Sequence, residues 1–296
     1  MVVLKPSDSS GRELLKTPRQ IDLAATFNAL VAWIHNDIIV KRKAPGLIVG
    51  ISGTDSILTF LACAKAFERA GKPDRALGVH FGLSWPPTDK KPEQVDRILS
   101  SAPNFLWVAK TIIPWIKEQV PKALVVVDSS IDYSKDSYRW AALKDISLND
   151  LSKRDPLPLG KNYWVVGTRN ASEDELGAYS DLSIPVSNQP IIRLWKSEVL
   201  QICSSYLGVP QVAADKSRQA DCICGRDDLA AKHIEEIDAI LMVRNGVLSP
   251  DYLKKIPDNI LGPLRSYVED QINYSAFKKE GAQKPPPDIV IPVLQS

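Results

Sequence analysis

The sequence predicts an α/β fold, a doubly wound parallel sheet with helices on both faces. Two observations carry this. Short apolar, β-rich runs alternate with stretches of helical periodicity along most of the chain. With 296 residues, 44% of them apolar, there is enough material to cover a sheet on both sides. In such a sheet the strand ends collect on one edge, where ligands bind.

The elements follow in order. Residues 1–18 are polar and expected to be loosely ordered. Gln20 to Val40 carries Ile21, Leu23, Ala24, Phe27, Leu30, Val31, Ile34 and Ile38, an amphipathic helical stripe that packs on the sheet or on a partner subunit. Lys41-Arg42-Lys43-Ala44-Pro45 ends it. Leu47 to Ile51 reads as a buried strand, and from Ile57 apolar residues return at helical spacing. After Gly71-Lys72-Pro73, Arg75 to Phe81 reads as a second strand with His80 at its C-terminal end. A Pro-rich loop from Gly82 to Pro92, a helix from Pro92 to Leu99 and a short strand from Phe105 to Ala109 follow. Ile112 to Val120 reads as helix, Lys122 to Val127 as strand, Tyr133 to Leu143 as helix and Leu148 to Lys161 as a polar connection. Tyr163 to Val166 is the next strand. The chain is expected to form one domain over 1–296, with an extended Pro-rich tail at 281–296.

Composition excludes several functions. A net charge of +2 gives no push towards nucleic acid. No uninterrupted apolar run reaches the roughly 18 residues of a membrane span. Four cysteines (Cys63, Cys203, Cys222 and Cys224) without a signal peptide point to reduced thiols and a cytoplasmic address.

Between the first strand and its helix lies Ser52-Gly53-Thr54-Asp55-Ser56. A helix start offers unpaired N–H groups and a partial positive charge, which suits phosphate. Gly53 lets the backbone approach an anion, and the hydroxyls of Ser52, Thr54 and Ser56 can donate to it. Asp55 cannot bind phosphate directly, so it suits a Mg²⁺ that bridges to phosphate. Neither GxxxxGK[ST] nor GxGxxG occurs, which excludes those two phosphate motifs. The turn also reads as a plain hydroxyl-capped strand–helix connection.

A second cluster follows the strand at Tyr163. Gly167-Thr168-Arg169-Asn170-Ala171-Ser172-Glu173 leads into an acidic helix start, with Asn170 or Ser172 as cap. Asp55 and Glu173 each follow a strand on the same sheet edge. The pair can hold a Mg²⁺ between them, with Thr168 facing the nucleotide. As a bland alternative, the acids merely suit a helix N-terminus.

The SGTDS turn resembles the SGGxDS loop of the N-type ATP pyrophosphatases, one residue shorter and with a single glycine. The second cluster resembles the GTGNxSE of ammonia-dependent NAD synthetases. Further pieces stand in the same order: Gly177 and Tyr179, Pro190, Leu194-Trp195-Lys196-Ser197-Glu198-Val199, Leu207-Gly208-Val209-Pro210, and Lys216 with Ala220 and Asp221. Glu235 to Leu241, then Ser275, Lys278-Lys279 and Pro285 to Pro287, complete the series, from about Gly46 to Pro287.

This resemblance implies adenylation of a carboxylate by ATP with Mg²⁺, then displacement of AMP by ammonia or an amine. It implies that Asp55 and Glu173 serve the metal, that Lys196 contacts phosphate beside Thr168, and that Arg139 contributes to the nucleotide site. His80 is a nucleotide-site candidate from its place at a strand's C-terminal end. Tyr179, Asp181, Lys216 and Asp221 fall to the acceptor, while Gly208 is a helix C-cap whatever the function. A homodimer is implied as well. No glutaminase or nitrilase-like domain is evident, so free ammonia or another amine is the expected donor.

Two departures bear on substrate. The family's GDGxxD stretch between the tyrosine and the proline is here Ser180 to Gln189, with Asp181 as its one carboxylate. The family's acidic Q-x-D-E segment is here Gly225-Arg226-Asp227-Asp228-Leu229. The ATP chemistry is expected to be kept and acceptor recognition altered, either deamido-NAD or another carboxylic acid. Sulfur transfer through Cys222 and Cys224 and a retired nucleotide-binding role are the alternatives.

Overall fold

In the computed structural model the described residues are 17–81, 107–128, 163–179, 184, 186–218, 230 and 232–280. Their centre is β1 (Gly46–Gly50), whose five residues are all buried. Such a run arises when a strand is covered on both faces. β1 pairs in parallel with β2 (Ala76–Phe81) on one side, Leu47 opposite Ala76. On its other side lies β4 (Tyr163–Val165), Leu47 opposite Trp164. β3 (Leu124–Asp128) pairs outside β2, so the order is β3-β2-β1-β4, all parallel. The α/β expectation holds.

Strand order reverses between β1 and β4. The chain steps outward from β1 to β2 to β3, then returns to β1's other side. A crevice opens beyond the strand ends at such a reversal, and it is the usual ligand site of the architecture. The two turns flanking it are those singled out in the sequence, Ser52–Gly53 after β1 and Gly167–Asn170 after β4.

α1 (Leu23–Trp33) is capped by Asp22, whose carboxylate accepts from the Ala25 N–H at 2.9 Å. It runs on as a π-helix through Ile34–Lys41, as the stripe predicts. Phe27, Ile34 and Ile38 bury against the core beside α2 (Thr54–Arg69). Among the described residues Leu23–Lys41 is the one helix long and apolar enough to cross a membrane, by length and composition alone. The polar His35-Asn36-Asp37 interrupts it, which is why no continuous apolar run is visible in the sequence. The N-terminal stretch expected to be loose is pinned at its end, because Thr17 is 4% exposed and its hydroxyl donates to the Arg19 carbonyl at 2.6 Å.

One predicted strand is absent. Within Phe105–Ala109, the described residues from Trp107 are helical and lead through a π-turn, Val108–Ile112, into α3 (Ile113–Gln119). Val108, Ile112 and Ile116 are fully buried, spaced four apart. That is helix periodicity, and the strand-favouring phenylalanine, tryptophan and valine hide it when only five positions are read. The readings at Gly82–Pro92, Pro92–Leu99, Tyr133–Leu143 and Leu148–Lys161 lie outside the described residues.

The second half adds α4 (Ala171–Leu176), α5 (Lys196–Gln201) continuing as a π-turn Ile202–Tyr206, and α6 (Gln211–Ser217). α7 (Ile234–Arg244) and α8 (Asp258–Glu280) complete the described helices. Gly208 closes the π-turn with φ +66°, as a C-cap requires. A separate apolar cluster joins Leu176, Trp195, Ile237, Ile240, Leu241, Leu264 and Val268. It makes α4 a rigid shelf on α7 and α8.

Gly177 ends α4 with φ +65°, and a Cβ there would overlap the Ser275 side chain on α8. Ser275 Oγ donates to the Leu176 carbonyl at 2.8 Å. Gly177→Ala is therefore expected to cost about 2–4 kcal/mol, from the left-handed backbone and the overlap together. Urea unfolding checks this, and an unchanged midpoint contradicts it.

Candidate active site

The turn after β1 is closed by its own hydroxyls. Ser56 Oγ donates to the Gly53 carbonyl at 2.8 Å and accepts from the Ser52 N–H at 2.8 Å. Gly53 precedes the helix in an extended conformation, and no side chain caps α2. The first N–H groups of a 16-residue helix thus face the crevice end without a local acceptor side chain.

Three residues expected at the nucleotide have protein partners instead. Thr54, Ser56 and His80 are 0%, 2% and 1% exposed. Thr54 Oγ1 lies 2.9 Å from Ser217 Oγ at the end of α6, and His80 Nδ1 lies 3.0 Å from the Ile51 carbonyl. These side chains shape the turn from behind. Ser52 and Gly53 remain at its surface, both half-buried.

Asp55 sits in the first turn of α2 and meets two neighbours. Its Oδ2 forms an ion pair with Lys196 Nζ, and its Oδ1 accepts from Asn170 Nδ2 at 2.8 Å. Lys196 Nζ also donates to Thr54 Oγ1 at 3.2 Å. Asp55 and Lys196, 141 residues apart, thus share one site with side chains 14% and 8% exposed.

Asn170 connects the two predicted metal-site carboxylates. Its Oδ1 accepts from the Glu173 N–H at 2.9 Å, while Glu173 Oε2 accepts from the Asn170 N–H at 3.3 Å. This capping box fixes α4, and the same amide reaches across to Asp55. Among the described residues no cluster of three or more metal-ligating side chains occurs. Carboxylates are the donors Mg²⁺ takes alongside phosphate oxygens; here Asp55 is engaged by Lys196 and Asn170, and Glu173 Oε2 by the Asn170 N–H.

Lys196 is aimed by a buried relay. Asp238 on α7 accepts from Ser172 Oγ at 2.5 Å and from the Ser197 N–H at 2.8 Å. Ser172 Oγ in turn accepts from the Lys196 N–H at 2.8 Å. From the other side Glu198, also in α5, receives a two-pronged contact from Arg19 at 2.8 and 3.0 Å. α5 is held at both flanks, and its first residue points to Asp55.

Sequence reading missed Asn170 as a site residue, along with Ser217 and Asp238. Asn170 was legible only as a cap. Asp238 had a usable signal, a lone acid on the apolar stripe Ile237, Ile240, Leu241. Ser217 had none.

Of the remaining predicted residues, Thr168 is half-buried in the turn after β4. Lys216 lies one residue before Ser217 on α6. Tyr179 lies under the Arg169 guanidinium, 4.1 Å from the ring centre. Arg139, Asp181, Asp221, Cys222 and Cys224 lie outside the described residues. Cys63 and Cys203 are free and buried. Burial pushes the Cys63 thiol up to about 12; burial, then Asp55, also raises Cys203. Both stay protonated and unreactive at neutral pH.

Comparison with known proteins agrees with the fold. A family model described as NAD synthase matches residues 158–282. The NH3-dependent NAD+ synthetase of Mannheimia succiniciproducens is 26% identical over 245 residues, 79% of this chain and 89% of that protein. Among solved structures, the NH3-dependent NAD synthetase of Campylobacter jejuni superposes with a TM-score of 0.55 at 18% identity, over 90% of this chain and 100% of the other. The NMN synthetase of Francisella tularensis gives 0.54 at 18% identity with the same coverage.

The relay makes a pH prediction. Burial pushes the Asp238 carboxyl up to about 6 from 3.8, although its hydrogen bonds from Ser172 and Ser197 pull it down. The folded protein then binds this proton more tightly than the unfolded chain. The stability it contributes is full below about pH 4 and is lost as pH rises to about 6. Asp238→Asn, which cannot ionise, should gain relative to the parent over that window. Urea midpoints measured across it check this, and a pH-independent difference contradicts it.

Proposed function

Because this chain is a divergent member of the ammonia-dependent NAD synthetase family, we propose that it is an ATP-dependent, amide-forming ligase. In this reading it activates a carboxylate as its adenylate and ammonia or an amine displaces AMP. One observation carries it. The two turns flanking the strand-order reversal each bring a carboxylate, Asn170 joins them, and Lys196 stands between α2 and α5.

In this reading the residues take the following roles. ATP's phosphates bind at the open start of α2, against its N–H groups and the Ser52–Gly53 backbone. Thr54, Ser56 and His80 hold that turn in shape, and Thr168 borders it across the crevice. Mg²⁺ held by Asp55 and Glu173 supplies charge neutralisation for the phosphates. Lys196 divides its charge between Asp55 and the departing phosphate. A substrate carboxylate oxygen attacks the α-phosphorus, the bond to the bridging oxygen of the β-phosphate breaks, and pyrophosphate leaves with the electron pair. Ammonia then attacks the acyl carbon, the bond to AMP's oxygen breaks, and the nitrogen sheds a proton. The residues mainly position groups and offset charge.

Tyr179 and Lys216 lie on the acceptor side in this reading, with Asp181 and Asp221. The altered stretches at Ser180–Gln189 and Gly225–Leu229 support an acceptor other than deamido-NAD. That a protein of the same fold is an NMN synthetase fits more than one acceptor on this scaffold. Two free, buried thiols, Cys63 and Cys203, suit a cytoplasmic address.

Asp55→Asn keeps the shape of the side chain and removes its charge. It should lower stability by leaving Lys196 unpaired, while the protein that remains folded turns ATP over roughly a hundredfold or more slowly. Pyrophosphate release with ATP, Mg²⁺, ammonia and a panel of carboxylic acids reads this out, and near-parental release contradicts the role. In the same panel deamido-NAD should not give the highest kcat/KM; if it does, the altered-acceptor reading fails.

The stripe itself packs on the core, but Trp33 at the end of α1 and Val40 in its π-helical continuation stay 39% and 57% exposed. Pairing of this segment about a twofold axis in a homodimer would cover both. Sedimentation at micromolar concentration should give a dimer, and a monomer contradicts it.

A further inference from the structure

Arg169 is the residue at which this chain departs from GTGNxSE within the turn after β4. A glycine there has no side chain, whereas Arg169 sends a cation along the crevice wall. Its guanidinium lies 4.1 Å from the centre of the Tyr179 ring. Its Nε is 3.3 Å from Asp174 Oδ1, and one of its terminal nitrogens donates to Gln189 Oε1 at 3.1 Å. Three segments are thus fixed by one side chain that is only 15% exposed. Lys278 approaches the same ring from α8, 5.1 Å from its centre, while donating to the Tyr179 carbonyl at 2.6 Å.

Among the described residues, the charged groups that meet this cluster include Arg169 and Lys278 on the ring and Asp174 on the guanidinium. One face of the ring is already taken by a flat cation. A second flat cation is then disfavoured twice, by loss of the stacking face and by like charge. Beside this wall Asn188 is 9% exposed, and both its amide atoms lack a hydrogen-bond partner among the described residues. Buried amides seldom remain so, and an incoming polar group would satisfy it.

We infer that Arg169 is an acceptor-specificity residue, which turns the Tyr179 wall against acceptors carrying a pyridinium ring and towards carboxylic acids without a cationic ring. This rests on the reading of Tyr179 as acceptor-side. It goes further by naming the side chain that sets the preference and the charge class it excludes.

Titration calorimetry of the full chain with deamido-NAD as probe tests it without turnover. Arg169→Gly should bind the probe at least about fivefold more tightly than the parent, because the Tyr179 face is freed and the cation beside the pyridinium is removed, which outweighs the lost attraction for the probe's carboxylate and diphosphate. Arg169→Gln, which keeps a polar link to Asp174 and Gln189 and removes the charge, should shift the same way should the glycine variant fold poorly. Arg169→Lys should stay near the parent, because the charge survives. Equal or weaker binding by both neutral variants overturns the inference, as does an equal gain in the lysine variant. Failure of the ligase reading looks different: no carboxylic acid then yields AMP from the parent, whatever the calorimetry shows.

Discussion

The Lys196–Asp55 ion pair is the contact on which the site depends. Taking both charges largely out of water costs several kcal/mol each unless geometry and hydrogen bonds compensate. The protein supplies two of those bonds directly, from Thr54 on α2 to Lys196 and from Asn170 ahead of α4 to Asp55. Ser172 on α4 and Asp238 on α7 hold the start of α5 through the backbone N–H groups of Lys196 and Ser197. Breaking one partner would leave an uncompensated charge beside the turn after β1. The pair is therefore a structural tie between α2 and α5.

The sheet explains why this tie falls where it does. Parallel order β3-β2-β1-β4 leaves the reversal between β1 and β4, and the chain places its small, polar turns at those two strand ends. Behind the crevice the α4–α7–α8 cluster fixes the Glu173 side, while α1, α2 and the π-turn after α5 fix the Asp55 side. The π-turn has its own part, since Cys203 Sγ reaches the Thr54 carbonyl at 3.5 Å. π-turns recur next to functional sites because they re-aim a helix face by one residue.

Much of this was legible in the sequence, for physical reasons. β1 and β2 are apolar runs bounded by glycine, proline and polar residues, and the helices around them show their 3.6-residue spacing. The stretch at Phe105–Ala109 misled because phenylalanine, tryptophan and valine favour strands in isolation, while burial at every fourth residue from Val108 makes its described part helix. The pairing of Asp55 with Lys196 rests on tertiary packing across 141 residues, which no local pattern records. The same holds for Ser217 against Thr54. Hydroxyls are also ambiguous in a sequence. Those of Thr54 and Ser56 suit a phosphate equally well as they suit bracing a turn, and only burial distinguishes the two.

The central claim is that the crevice couples cleavage of ATP between its α and β phosphates to carbon–nitrogen bond formation. Incubation of the protein with ATP, Mg²⁺, ¹⁵N-labelled ammonium and the best carboxylic acid, followed by mass spectrometry and nucleotide analysis, tests this directly. The account predicts AMP, pyrophosphate and a ¹⁵N-labelled amide in equal amounts. Formation of ADP and phosphate, or AMP without label in the acid, would contradict it.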